Sequence, residues 1–292
     1  MIRAAIKRGD GLPSGRIWLH SVVRNLQFAL IDSGHLKVVS EISETADGRF
    51  GPGTEKAVKA FQRAGDLEPQ GVVDRASWSR LEPHLQSAVG MREGRTAEWL
   101  TGFRGDLEWI HAKEAHKGKP YWPGGESGVT LDPGVDLGHA APELIERLYK
   151  PLLTGAQMEA LRQVFGMQGK AAREALKASS VLAGIRFSKP QAAEIMPLAA
   201  QSYWQEIRNR FKILGRKAAP PSVQTALLSL AYNRGARNHH LEPLGTLLES
   251  QQWADAAFRI AAMQQNHPLE GIRIRRREEG ALIRAELDFL AS

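Results

Sequence analysis

The sequence predicts a mainly α-helical, α+β protein: a small three-helix domain linked to a larger domain with a small β-sheet and a helical bundle. Three observations predict it. The 292 residues exceed the ~150 of an average domain. Apolar side chains recur at helical spacing through most of the chain. Only the region around 121–137 shows short apolar runs punctuated by Gly and Pro, the mark of strands. The composition is globular, with 42% hydrophobic and 24% charged residues. The chain has no cysteine, which excludes a disulfide framework, a thiolate metal site and a cysteine nucleophile.

The elements follow in order. Val22-Val23-Arg24-Asn25-Leu26-Gln27-Phe28-Ala29-Leu30 reads as a first amphipathic helix, stopping before Ser33-Gly34. A second follows Gly51-Pro52-Gly53-Thr54, with Thr54 as its expected N-cap, and a third surrounds Trp78 and Leu81. These define a domain over 17–86. Residues 87–103, with Gly90, Gly94 and Gly102 among mixed charges, read as a linker. Asp106 is expected to cap a helix through Leu107–Ala112 that ends near Glu114. Val129-Thr130-Leu131 and Val135-Asp136-Leu137 read as short strands. The rest of the 104–292 domain reads as helical, with capping-box form at Thr154/Gln157, Ser188/Gln191 and Thr246/Glu249. Ser222 is expected to start the helix through Tyr232, and the last helix to run from Leu269 to Leu290.

Charge is 39 basic against 32 acidic residues, a net of +7. Such an excess fits an anionic polymer such as cell wall as well as nucleic acid or membrane, so it decides nothing alone. The densest run, Arg273-Ile274-Arg275-Arg276-Arg277 followed by Glu278-Glu279, reads as a solvated helical face with i,i+4 pairs rather than a phosphate stripe. No apolar stretch is long enough to insert stably in a membrane. The first ten residues lack the apolar core of a secretory signal. The chain is therefore expected to be made in the cytosol and to need a partner if it works outside.

Leu26-Gln27-x-Ala29-Leu30, Asp47-Gly48-x-Phe50-Gly51-Pro52-x-Thr54-x-x-Ala57-Val58-x-x-Phe61-Gln62 and Gly71-Val72-Val73-Asp74-x-x-x-Trp78-x-x-Leu81 together resemble the three-helix peptidoglycan-binding domain. The resemblance implies that this domain binds bacterial peptidoglycan, with Asp47, Arg49 and Phe50 as candidate wall contacts. Two residues depart from the family pattern, Gln70 for Asp and Asp74 for Gly. The alternative is a helical domain with the same apolar skeleton and no ligand.

Glu114 is the best catalytic candidate in the larger domain. At a helix C-terminus, carbonyl ends carry negative partial charge, which disfavours the ionised carboxylate and suits a general acid. Glu126, Asp132 and Asp136 follow, and paired carboxylates across a cleft are the chemistry of glycoside hydrolysis. Glu114, Tyr121, Gly128-Val129-Thr130-Leu131 and Gly134-x-Asp136-Leu137-Gly138-His139 resemble the front half of a phage-type lysozyme. Tyr121-Trp122-Pro123-Gly124-Gly125-x-Ser127-Gly128-Val129-Thr130 is most similar to the branch that includes pesticin. Ser229-Leu230-Ala231-Tyr232-Asn233-x-Gly235 resembles that family's buried helix, and Gly271-Ile272-Arg273-x-Arg275-Arg276-x-x-Glu279 its closing helix.

In the pesticin branch the catalytic Asp lies six residues after the Thr, which lands on Asp136. The better-known phage branch has it nine residues after the Glu, where this chain has Pro123, so the role falls on Asp136 over Glu126 and Asp132. Thr130 is then expected to hold the attacking water through its hydroxyl. Trp122 and Ser127 are candidate sugar contacts, and Asn233 either touches the sugar or simply closes its helix. His111 and His116 are five apart rather than the four of a zinc helix, so no metal is expected. His139, His239 and His240 read as structural or exposed, and Tyr203, Trp204 and Trp253 as core.

The resemblances together imply an endolysin: a wall-binding module joined to an N-acetylmuramidase, a glycoside hydrolase without cofactor, monomeric, and released from the host cytoplasm by a holin-type pore. Nucleic acid is not an expected partner. The alternatives are a lytic transglycosylase, an antibacterial toxin of the same fold, and a non-catalytic wall-binding protein.

Overall fold

The computed structural model describes residues 1–85, 99–114 and 116–292. It is mainly helical with one two-stranded sheet. By packing, the chain divides into a unit of Met1–Trp109 with Tyr203–Ser292 and a unit of Ile110–Ser202. The expected boundaries, 17–86 and 104–292, do not coincide with this division. Residues 87–98 of the expected linker lie outside the described residues. At its far end Leu100 and Phe103 are buried, and the Phe103 ring meets Trp204 edge-on with centroids 5.0 Å apart.

In the first unit, residues 1–7 supply an edge unforeseen in the sequence. Ile2, Ala4 and Ile6 alternate inward and are buried. Ile6 bridges Val73, and the Trp78 indole N–H donates to the Ala4 carbonyl at 2.9 Å. Helix α1 (His20–Asp32) buries Val22, Val23, Leu26, Ala29 and Leu30. After a single turn, α2 (Ile42–Thr45), comes α3 (Pro52–Ala64), which begins two residues before the expected cap. Gly51 takes the N-cap position and Pro52 supplies the first turn, where its missing N–H costs nothing. Thr54 is instead buried, its hydroxyl accepting from the Gln27 amide at 3.1 Å. The last helix of this part, α4, covers 75–85. Asp74, a departure from the family pattern, caps it: Oδ1 accepts from the Ser77 N–H at 2.9 Å.

Two glutamines hold this part together in the same manner. The Gln27 carboxamide donates to Asp47 Oδ1 and the Arg49 carbonyl and accepts from the Gly48 N–H at 2.7 Å. Gln62 donates to the Val72 carbonyl and accepts from the Gly71 N–H at 3.0 Å. Each buried amide thereby satisfies backbone groups of one turn from its inner side.

α5 (Leu107–Lys113) is capped as expected, the Trp109 N–H donating to Asp106 Oδ1 at 2.9 Å. In the second unit, β1 (Thr130–Leu131) pairs antiparallel with β2 (Val135–Asp136), placing Thr130 opposite Asp136. Tyr121 bridges Thr130 from the other side. Around this sheet run α6 (Pro142–Tyr149), α7 (Gly155–Arg162), α8 (Gly169–Ala178), α9 (Ser180–Ala183) and the first part of α10 (Lys189–Arg210). Val129, Leu131, Leu137, Ile145, Leu148 and Ile185 are buried here. The capping box at Thr154/Gln157 is formed in both directions, and so is that at Ser188/Gln191.

The remaining helices belong to the first unit: α11 (Pro221–Arg234), α12 (Gly245–Glu249), α13 (Trp253–Ala262) and α14 (Glu270–Ala291). Thr246 does not cap α12, which begins at Gly245 with Leu244 as its N-cap, and Glu249, the other half of the expected box, accepts from the Ile213 N–H at 3.1 Å. Pro221 starts α11 one residue before Ser222, which is fully buried with its N–H on Glu286. α14 lies so close to α13 at Gly280 that a β-carbon there would sit 2.5 Å from the Ala257 carbonyl oxygen.

The expected solvated face of α14 is corrected. Arg276 and Glu279 are each 0% exposed, and Arg275 and Glu278 are also buried. The ion pairs form, but inside: Glu279 Oε1 accepts from Arg276 at 2.6 Å and from the Ser229 hydroxyl of α11 at 2.5 Å. Arg275 Nε donates to the same hydroxyl at 3.0 Å. Burial pushes the Glu279 carboxyl up and the Arg276 guanidinium down, each opposed by the other's charge. These residues fall on the stripe that α14 turns toward α11 and α13, so helical position outweighs their charge.

Candidate functional site

Two places carry chemistry, one in each unit. In the second unit, Glu114 follows directly on α5, its N–H donating to the His111 carbonyl at 3.1 Å. Its Oε1 is shielded from solvent. Thr130 and Asp136 face each other across β1 and β2. Asp136 is half-buried, and Oδ1 accepts from the Gly128 N–H at 2.9 Å and the Gly138 N–H at 2.8 Å. Gly128 is required there, since a β-carbon would lie 2.6 Å from that same oxygen. One carboxylate oxygen is thus fixed by the backbone and the side chain held in one orientation. Thr130 is 3% exposed, and its hydroxyl donates weakly to the Gly128 carbonyl at 3.4 Å.

Asp132 is fastened differently. It accepts from the Lys117 N–H at 3.0 Å and the Gly118 N–H at 2.6 Å, and His116 Nδ1 lies 2.8 Å away. Its carbonyl accepts from the Tyr149 hydroxyl at 2.9 Å. Asp132 therefore ties the 116–118 loop to the β1–β2 turn, and His116 serves that tie. Asp132→Ala is expected to cost roughly 1–3 kcal/mol by chemical denaturation, because the Lys117 and Gly118 N–H groups lose a buried acceptor. Glu126 is exposed on the preceding loop.

Tyr121, not singled out from sequence as a site residue, bridges Thr130 and feels the charge of these acids. Burial pushes its phenol up, and the carboxylates of Asp132, Glu114 and Asp136 push the same way. Trp122 is half-buried, its indole N–H engaged by the Ser127 carbonyl at 2.9 Å and its ring covered by Arg173 at 5.5 Å. The Ser127 carbonyl also accepts from the Gly169 N–H at 3.0 Å. Nothing near Trp122 in the sequence signals Arg173, which arrives from α8. Asn233 stands in the last turn of α11, in the first unit.

The second place is an open groove of about 430 Å³ in the first unit, lined among others by Gln27, Lys37, Val39, Glu44, Asp47 and Arg49. Asp47 and Arg49 are exposed. Asp47 Oδ1 accepts from Gln27 Nε2 and from the Arg49 N–H, each at 2.9 Å. Phe50 is 0% exposed, so its side chain belongs to the core and offers a wall ligand no surface. That corrects its expected place among the contacts.

Residues 20–81 match the family model described as "Putative peptidoglycan binding domain". The match spans α1 to α4 and contains the groove. It supports a modular wall-binding protein with peptidoglycan as the target of this segment, associated with the cell wall. No curated protein matches the chain. Among the described residues no helix is long and apolar enough to cross a membrane.

Proposed function

We propose that this protein is an endolysin-type N-acetylmuramidase: residues 17–86 hold it on peptidoglycan, and the lysozyme-like part within 104–292 hydrolyses the glycan. The observation that carries the reading is the placement of Thr130 opposite Asp136 on β1 and β2, with the charges of Glu114 and Asp136 both acting on the Tyr121 phenol, in a chain that also carries a wall-binding segment. Glu114 is the general acid, protonating the glycosidic oxygen as the bond to the muramic acid carbon breaks. Asp136, with Oδ1 held by two N–H donors, turns Oδ2 to the water that completes hydrolysis. Thr130, directly opposite, orients that water. No cofactor enters the reaction. The protein acts as a monomer and reaches the wall from the host cytoplasm through a holin-type pore.

The test is digestion of purified peptidoglycan with mass analysis of the fragments. Reducing muramic ends support a muramidase, anhydro ends a lytic transglycosylase, and no release a purely wall-binding protein. Within the muramidase reading, Asp136→Asn and Thr130→Ala are each expected to slow release by about 10²-fold. Glu126→Gln is expected to change it less than twofold, as measured by release of reducing ends. A dead Glu126→Gln beside an active Asp136→Asn moves the second carboxylate to Glu126.

A further inference from the structure

We propose that the groove beside α1 and α3 recognises the peptide stem of peptidoglycan, a short chain bearing free carboxylates and a free amine, rather than its glycan. The proposal rests on the wall-binding reading and specifies its ligand. The first observation is charge. Lys37 and Arg49 line the groove together with Glu44 and Asp47, so both signs face one cavity. A glycan of N-acetylated sugars offers no charge to meet them once its lactyl carboxyl is joined to a peptide. The stem offers both signs.

The second observation is which of these charges are already used. Neither Lys37 nor Arg49 makes an ion pair among the described residues, and both are exposed. The planar Arg49 guanidinium is shaped for a bidentate carboxylate. Asp47 has Oδ1 held by Gln27 and by the Arg49 N–H, so its position is set before any ligand arrives, and Oδ2 carries charge toward an amine. Glu44 is hydrogen-bonded by Ser40.

The third observation is the apolar rim. Val38, Val39 and Ile42 are exposed, Val39 by 90%, and Leu36 and Val39 line the groove. Among the described residues no aromatic side chain lines it, whereas the flat C–H faces of sugar rings pack best on aromatic faces. Methyl groups of alanine residues, by contrast, match small aliphatic side chains. The floor is rigid, because the buried Gln27 amide joins α1 to the 47–49 turn and to Thr54 of α3. A preformed floor lowers the ordering cost of binding.

The experiment uses the full chain. A synthetic stem tetrapeptide containing the diamino acid, and glycan strands stripped of stems by an amidase with their freed lactyl carboxyls then capped as methylamides, are titrated separately by calorimetry, with co-sedimentation on intact sacculi as reference. The expected result is saturable binding of the tetrapeptide, none of stripped strands, and at least a tenfold loss of tetrapeptide affinity in Arg49→Glu. Lys37→Glu is expected to weaken it in the same direction, and higher salt to weaken it further. Thermal melting of Arg49→Glu is expected to match the parent, since that side chain is exposed and unpaired. Binding of stripped strands without tetrapeptide binding overturns the proposal and leaves wall binding intact. Tetrapeptide binding unchanged in both variants also overturns it, by removing the groove. Failure of the parent chain to co-sediment with intact sacculi overturns the wall-binding reading itself.

Discussion

Glu114→Gln is expected to lower release of fragments from purified peptidoglycan by ~10²–10⁴-fold, the usual worth of general acid–base catalysis. The amide keeps the shape of the carboxyl and its capacity for hydrogen bonds, but it has no acidic proton for the departing oxygen. Folding is expected to survive, with an unchanged thermal midpoint and unchanged co-sedimentation with sacculi, because the wall-binding segment lies in the other unit. Activity and wall binding are therefore separable in one variant. Retention of more than about a tenth of the activity would remove Glu114 from the mechanism and reopen the choice among the acids around Tyr121.

Glu279→Gln is expected to cost about 3–5 kcal/mol of stability, read as a shift in the chemical denaturation midpoint. Glu279 is the fully buried carboxylate between Arg275 and Arg276, at 3.5 and 2.6 Å. Removing its charge takes the carboxylate from the fully buried Arg276 guanidinium, and the desolvation of that cation dominates the loss. The comparison that isolates this cause is the combined replacement Arg275→Met, Arg276→Met and Glu279→Leu. That variant has no buried charge and is expected to recover most of the loss. If the single and combined variants are equally unstable, packing rather than charge governs this part of α14.

Where a feature depends on residues within one turn, the sequence was readable. Asp106 caps α5, and Thr154 with Gln157 closes its box. Thr246 with Glu249 has the same spelling, yet Glu249 turns to Ile213, a partner far away in sequence. The Arg273–Arg277 run shows the same limit from another side. Its spacing foretold the pairs with Glu279, but burial depends on α11 and α13 covering that stripe, which no local pattern encodes. Phe50 misled because a motif residue next to an exposed turn reads as a contact, while its side chain turns inward. Among the acids, the sequence offered Glu114, Glu126, Asp132 and Asp136 on nearly equal terms. Their hydrogen-bond partners distinguish them: Asp132 is saturated by the 117–118 backbone, Glu126 is in solvent, and Asp136 keeps one oxygen unclaimed by the 128 and 138 amides. Those partners are set by loops closing in space.

The packing of the short Ile17–Leu19 turn against α14 has a consequence for biosynthesis. The two partners are separated by about 250 residues, and a ribosome adding roughly 5–20 residues each second needs some 10–50 s to supply the second after the first. For that interval Leu19, fully buried in the finished protein, lacks its α14 neighbours, while the whole of residues 110–202 emerges and is free to fold. The unit that contains the wall-binding segment is thus completed only after residues 110–202 have emerged, although the wall-binding segment itself leaves the ribosome before them.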